Sequence, residues 1–338
     1  MTKMTDKTLH VVVAGFDGAV ASAITGIIDL LALAGVSWNR IQKQQIQRLF
    51  HFTLVSPNGK PIRCINGLSL VAQSSYADIQ TADLFIVPTI GAPIEATLAN
   101  HPKLITLIQD MHQRGTMIAG NCTGIFFLAE SGILDGRIAT THWGFTKQFQ
   151  TRYPKVKLQP QQMMTRDGHI YTAGGGLAWF DLGLHLIERF YGFETALQTA
   201  RSFVLDYQRD HQLSYALFRI SRPHQDIVVQ KIQHYLTEHI ATNISLDELA
   251  AYFNLTTRTL IRRFKAALDV PPYHYVQAIR MEAAQKRLEQ TEQPIEQIML
   301  EVGYQDASAF RRVFKQHTGL TPVEYRRRFS RYATLNEC

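Results

Sequence analysis

The sequence of 338 residues contains only three cysteines and no apolar run near the ~20 residues of a membrane span. Cys64, Cys122 and Cys338 are widely spaced, which argues against a disulfide framework or a metal site and favours reduced thiols. An early apolar stretch, residues 11–15, is shorter than a signal-peptide core, and acidic Asp6 precedes it. These absences predict a cytoplasmic protein with no membrane contact, no metal and no cofactor.

The chain also lacks a concentration of positive charge in one half. The net charge of +7 suggests an acidic partner, but the segment from Pro223 onward contains 15 Lys and Arg against 13 Asp and Glu. Any contact with nucleic acid must therefore come from local basic clusters rather than from bulk charge.

The first half of the chain alternates short apolar runs with amphipathic segments, whereas the last third shows helical periodicity only. This alternation predicts an α/β domain with a doubly wound, flavodoxin-like parallel sheet and helices on both faces. A polar segment rich in Gln, Arg and His predicts a linker over residues 206–225, between a first domain (1–205) and an all-α domain (226–330). The predicted strands are 10–14, 50–56, 84–88 and 116–119, and the predicted helices are 21–34, 104–114, 123–131 and 178–191.

The all-α domain contains one internal repeat of a short helix, a turn and a longer helix. The first copy begins at Ser245, a good N-cap, and its turn at 254–256 leads into a helix over 257–268. The second begins at Pro294, turns at Gly303-Tyr304 and continues as a helix over 307–317. The predicted core positions of the two longer helices are Leu260, Phe264 and Leu268, and then Phe310, Val313 and Phe314.

This spacing leaves basic side chains on the outward face of each longer helix. Such a helix-turn-helix plan fits the major groove of DNA, where Arg reads guanine and flanking Arg and Lys neutralise phosphates. A solvated surface is the ordinary interpretation of one basic helix, but two matching copies favour DNA binding. The predicted DNA-binding residues are Arg258, Ile261, Arg262, Arg263, Lys265, Ser308, Ala309, Arg311, Arg312, Lys315 and Arg326.

Residues 226–329 resemble the DNA-binding domain of the AraC/XylS family. The resemblance rests on the ordered run Ile-Met-Leu-Glu-Val-Gly-Tyr at 298–304, the run Gly-Leu-Thr-Pro at 319–322, and Leu249-Ala250 with Arg263-Phe264-Lys265 in the first copy. Met299 and the Pro pair at 271–272 depart from the usual small residue and Gly-containing turn. The resemblance implies that Arg258, Ile261 and Arg262 face bases in one groove segment, and Ser308, Ala309 and Arg312 in the next.

A second pattern lies in the first domain, where Gly120-Asn121-Cys122-Thr123-Gly124 separates a predicted strand from a predicted helix. This is the form of a nucleophile elbow, in which glycines permit a sharp turn and the helix N-terminus favours a thiolate. A small buried cysteine in a tight turn explains the same five residues.

The surrounding sequence resembles the PfpI-like, class I glutamine amidotransferase-like superfamily, in particular the sensor domain of some AraC-type regulators. The matching segments are residues 128–137, 139–143, 172–175 and 181–188, and the resemblance covers about residues 9–205. Active PfpI-like proteases have His where this chain has Thr123, and related redox members have an acidic residue where it has Ala23. His142 is left as the candidate base, and it equally fits a ligand-orienting or a core histidine.

Three hypotheses follow. The leading one is a DNA-binding transcription regulator, an activator, controlled by a small metabolite in a catalytically inactive PfpI-like domain. The alternatives are a cysteine hydrolase or amidase, and a thiol redox sensor with Cys64 as the resolving cysteine. The expected partners are double-stranded DNA, a second copy of the chain, RNA polymerase and, by resemblance, an amino acid or quaternary amine. The candidate effector-binding residues are Asp17, Ala23, Pro88, Gly91, Cys122, Thr123, His142 and Trp143.

Overall fold

The computed structural model describes residues 7–207, 211–215, 224–243 and 245–330. Asp6, Pro223, Cys338 and parts of the predicted linker lie outside the described residues. Contacts divide the chain into two units, Met1–Gln212 and Leu213–Cys338. The domain bounds 1–205 and 226–330 stay predictions.

The first unit is an α/β fold around a sheet of seven strands, in the order β10-β11-β7-β6-β1-β2-β5. All neighbouring strands pair in parallel except β10 and β11, which form an antiparallel edge. The predicted mostly parallel sheet is therefore confirmed. Its strands and the four short strands outside it are β1 Leu9–Ala14, β2 Phe50–Ser56, β3 Ile62–Arg63, β4 Ser69–Leu70, β5 Ser74–Ser75, β6 Leu84–Val87, β7 Met117–Asn121, β8 Ile138–Ala139, β9 Lys157–Leu158, β10 Met164–Asp167 and β11 Ile170–Ala173.

The central strands are apolar because helices cover both of their faces. Strand β1 pairs with β2 on one side and β6 on the other, and Val11, Val12 and Val13 have no exposed surface. Helices α1, α7 and α8 pack on one another, as do α3, α4 and α5. The helices of this unit are α1 Ala21–Leu33, α2 Ser37–Ile41, α3 Ile94–Asn100, α4 Pro102–Gln113, α5 Ile125–Glu130, α6 Thr146–Arg152, α7 Trp179–Tyr191 and α8 Phe193–Phe203.

The described part of the second unit contains helices and no strands, as predicted. The first repeat is formed by α10 and α11, the second by α13 and α14, and α12 connects the two. None of the helices in the described ranges is long and apolar enough to span a membrane. The helices are α9 Ile227–Glu238, α10 Leu246–Tyr252, α11 Thr257–Leu268, α12 Pro272–Gln290, α13 Ile295–Glu301, α14 Ala307–Thr318 and α15 Pro322–Phe329.

Local capping explains why the predicted helix bounds in this unit were accurate. Ser245 and Glu248 form a reciprocal capping box at the start of α10, and the side chains of Thr256 and Asp306 cap α11 and α14 by accepting from the amides of Thr259 and Ala309. Each repeat turns through one residue with positive φ, Asn254 at 52° and Gly303 at 86°. Asn and Gly tolerate this left-handed conformation, so the two predicted turns are confirmed.

Candidate functional site

The two long helices of the repeats have equal lengths and corresponding cores. In α11, Leu260 and Phe264 have no exposed surface, and Leu268 is 2% exposed. Phe310 and Phe314 occupy the corresponding positions of α14 and are likewise buried. This spacing of four residues orients one stripe of each helix inward. The predicted core residues are confirmed, and each repeat has its own hydrophobic cluster.

The opposite stripe of both helices is exposed and basic. None of the Arg and Lys side chains on it forms a salt bridge with another described residue, apart from the flanking Arg263. These charges are therefore available to an external anion. The exposed members are Arg258, Ile261, Arg262 and Lys265 on α11 and Ser308, Arg311, Arg312 and Lys315 on α14, while Ala309 is half-buried.

Two residues of the predicted DNA-binding set have internal partners instead. Arg263 donates from Nε and Nη2 to the two carboxylate oxygens of Asp226, at 2.9 and 2.6 Å. Arg326 donates from Nη2 to the carbonyl of Gln293 at 2.5 Å, and burial lowers the pKa of its guanidinium. Both side chains brace the ends of helices within the unit. A phosphate contact by either one stays a prediction.

In the first unit, the predicted elbow lies between β7 and α5. Cys122 has a φ of 56°, which is strained for a residue with a side chain, and it opens a single 3-10 turn before α5. Gly124 is required because a Cβ there would overlap the carbonyl oxygen of Pro88. The helix predicted from residue 123 therefore begins only at Ile125, after this turn.

The Cys122 thiol is enclosed and lies beside two threonine hydroxyls. The side chain is 4% exposed, and this burial raises the pKa of the thiol, although hydrogen bonds from Thr123 and Thr89 act in the opposite direction. The backbone amide of Thr123 at the start of this turn does favour the thiolate, as expected, but burial has the larger effect and the net shift of the pKa is upward. Cys64 is also a buried free cysteine, and burial and the charge of Asp17 raise its pKa.

Hydrogen bonds join the loops that follow β1, β6 and β7 at the carboxyl edge of the sheet. Gly91 donates from its amide to the carbonyl of Gly18 at 2.8 Å. The hydroxyl of Thr123 donates to the carbonyl of Ile90 at 2.8 Å. Ligands of open α/β sheets bind at this edge. The structure thus links the predicted residues Gly91 and Thr123, while Asp17 is exposed in the first loop and Ala23 is buried on α1.

The segment with His142 and Trp143 is attached to the same elbow. The hydroxyl of Thr141 donates to the carbonyl of Cys122 at 2.8 Å. His142 accepts from the amide of Gly144 through Nδ1 at 3.0 Å, and burial lowers the pKa of its ring. His142 is therefore neutral near pH 7 and caps a turn. The rings of His142 and Trp143 lie 5.3 Å apart and are both half-buried.

Two residues of this region were not identified from the sequence. Asn121 is 1% exposed, and its amide donates to the hydroxyl of Thr89 at 2.8 Å, while Oδ1 has no partner among the described residues. Gln212, inside the predicted linker, is also 1% exposed, and its Oε1 accepts from the amide of Trp143 at 3.3 Å. The elbow motif itself could have pointed to Asn121, but no local signal marks Gln212.

Comparison with known proteins agrees with both units. A helix-turn-helix domain model matches residues 249–328, and a DJ-1/PfpI family model matches residues 36–189. The HTH-type transcriptional regulator CdhR of Pseudomonas aeruginosa is 30% identical over 281 residues, which cover 82% of each chain. The chain belongs to the AraC family of transcriptional regulators with a DJ-1/PfpI domain. This AraC-family regulator is also 26% identical to GbdR of the same species, over 83% of this chain and 76% of that protein.

A solved structure also matches part of the chain. The crystal structure of a putative transcriptional regulator protein from Vibrio parahaemolyticus matches with a TM-score of 0.50 and 25% identity. It covers 58% of this AraC-family regulator and 98% of its own chain. The predicted function as a DNA-binding transcription regulator with a PfpI-like domain is thus confirmed.

Proposed function

We propose that this regulator activates transcription as a cytoplasmic homodimer that contacts double-stranded DNA and RNA polymerase, and that a small metabolite controls it. The observation that carries the proposal is the pair of exposed, unpaired basic stripes on α11 and α14. Two such helices read two neighbouring groove segments, and a second copy supplies the other half-site.

The effector site that we propose lies at the elbow and the 140–143 segment. Whichever way the amide of Asn121 is oriented, one of its polar atoms contacts Thr89, and the other is buried with no partner in the part of the chain that the structure describes. A buried polar atom of this kind is stabilised by a hydrogen bond from a ligand. Trp143 offers an aromatic face for the cation of an amino acid or a quaternary amine.

We propose further that the site is not catalytic. Nucleophilic cysteine chemistry needs a thiolate and a base within hydrogen-bond reach. The pKa of Cys122 is raised by burial, its hydrogen-bonding neighbours are the threonines 89 and 123, and the Nδ1 of His142 is occupied by a backbone amide. Ligand binding requires none of these chemical features.

A thermal-shift screen of the full-length protein against amino acids and quaternary amines tests this site. A compound at 100 times its Kd is expected to add about 2.7 kcal/mol to the free energy of unfolding. Trp143→Ala should lose this shift, whereas Cys122→Ser should keep it because serine retains a small polar group. Trp38→Ala, which changes a tryptophan on α2, is the matched control.

If Cys122→Ser abolished the transcriptional response at normal protein level and DNA binding, the hydrolase or redox hypothesis would replace this one.

The proposed division into domains predicts where DNA binding resides. The second unit has hydrophobic clusters of its own, so we expect residues 223–338 to fold and bind DNA without the first domain. Residues 1–205 should not bind DNA. A gel-shift experiment with each fragment measures this, and specific retardation by the N-terminal fragment would refute the assignment.

We propose that the linker transmits the state of the effector site. Gln212 Nε2 donates to the carbonyls of Thr141 and Pro160, each at 2.8 Å. The Gln212 side chain is therefore bonded to residues 140–143, which we call the effector segment. Three residues later, the ring of Tyr215 lies 5.5 Å from that of Phe329 and 5.0 Å from the guanidinium of Arg328. A shift of the effector segment would therefore move residues 212–215, and Tyr215 at the end of this stretch contacts α15.

A further inference from the structure

The connecting helix α12 changes partner along its length. Its first half contributes Tyr275 and Ile279 to the cluster of the first repeat. Its second half contributes Met281, Ala284 and Leu288 to the cluster of the second repeat. The boundary between the two clusters falls at Arg280, and the shared helix is the only element that belongs to both of these clusters. Hydrophobic packing is not directional. The angle and distance between the two clusters, which meet along α12, therefore need polar contacts to define them.

Arg280 makes such contacts on both sides of this boundary. Its Nε donates to the carbonyl of Ile240 at 3.0 Å and its Nη2 to that of Thr242 at 2.9 Å, and both carbonyls follow α9. Its Nη1 donates to the carbonyl of Gly303 at 3.2 Å, in the turn of the second repeat. The guanidinium also lies 5.7 Å from the ring centroid of Tyr304. One planar cation thus bridges the segment between α9 and the first repeat to the turn of the second repeat, and α9 belongs to the hydrophobic cluster of the first repeat.

The surroundings require this side chain to be arginine. The guanidinium is half-buried, and burial lowers its pKa, so losing its acceptors would leave a desolvated charge. Lysine has a single donor centre and cannot reach three divergent carbonyls. Gly303 is adapted to it, because a Cβ there would lie 2.7 Å from Cζ of Arg280.

We propose that Arg280 is a positioning residue that sets the spacing and rotation of α11 relative to α14 on DNA. The proposal rests on the base-reading roles proposed for these two helices. A rigid joint lets the protein measure the distance between two groove segments, whereas a loose joint lets each repeat bind its own segment independently. Arg280 would therefore control which operator spacing is accepted, without touching DNA.

The test uses the full-length protein and duplexes that the wild type selects from a random DNA library. Inserting one base pair between the two footprinted segments rotates them by about a tenth of a turn. We expect the insertion to weaken wild-type binding by about tenfold, comparable to one mismatched base pair. We call the factor by which the insertion weakens binding the insertion penalty. Arg280→Ala should weaken binding to the selected DNA and reduce the insertion penalty to less than about threefold.

Arg287→Ala is the matched control. Arg287 lies two turns further along α12 and pairs with Glu301 at 2.9 Å, within the second repeat only, so this variant should keep the wild-type insertion penalty. If Arg280→Ala does not fold, Arg280→Lys is expected to show the same loss of the penalty. An unchanged penalty in the folded Arg280 variant would overturn the proposal and leave a stabilising role only. If the wild type showed no penalty, the paired reading of two segments would itself be wrong.

Discussion

We expect Arg262→Ala and Arg312→Ala each to raise the Kd for a selected DNA site by about 5- to 150-fold, or about 1–3 kcal/mol. Both side chains are exposed, and no described carboxylate pairs with them. They occupy corresponding positions in α11 and α14, two residues before the buried Phe264 and Phe314. An arginine at such a position can form two hydrogen bonds with a guanine edge, and alanine forms none.

Competition binding with selected and random duplexes measures this effect. Lys265→Ala is the control, since a phosphate contact should weaken binding to all sequences alike. Because the two repeats have separate cores, the double variant should show nearly additive losses in binding free energy. Equal losses on selected and random DNA for the two Arg variants would remove them from the base-reading set.

The second large effect is expected at Gln212, whose side chain attaches the linker to residues 140–143. Gln212→Ala should abolish the response of a reporter gene to an effector that the thermal-shift screen identifies, while the protein still binds that compound and DNA. The variant loses the hydrogen bonds of the side-chain amide to Thr141, Pro160 and the amide of Trp143. Without them, residue 212 keeps its backbone hydrogen bond to Gln161, but its side chain no longer couples a change at residues 140–143 to the chain that leads to Tyr215.

Gly174→Ala provides an independent route to the same result. A Cβ at residue 174 would overlap the side-chain amide of Gln212. The new methyl group should therefore displace the Gln212 side chain while the amino-acid sequence of the linker stays unchanged. Gln161→Ala is the matched control, because Gln161 contacts residue 212 through its backbone carbonyl alone. A normal response from both Gln212→Ala and Gly174→Ala would exclude this route of transmission.

Much of the fold could be predicted because its signals are local. The bounds of α11 follow from a capping residue, a four-residue spacing of apolar side chains and a left-handed turn, all within about 15 residues. The buried parallel strands follow likewise from continuous apolar runs such as Leu84–Val87. The antiparallel edge strand β10 was not predicted, because the segment Met-Thr-Arg-Asp at its position is short and polar.

The functional site was harder to predict than the fold, because its properties depend on contacts between residues far apart in the sequence. By itself, the sequence determined the elbow motif, the repeat and the outward basic stripes, because each is a pattern of neighbouring residues. Only the tertiary structure decided that the Cys122 thiol is buried with a raised pKa and that Arg263 is paired with Asp226, 37 residues away. The same holds for Gln212, whose acceptors lie 52 and 71 residues earlier. Burial and long-range hydrogen bonds arise from packing of distant segments, and local periodicity contains no information about them.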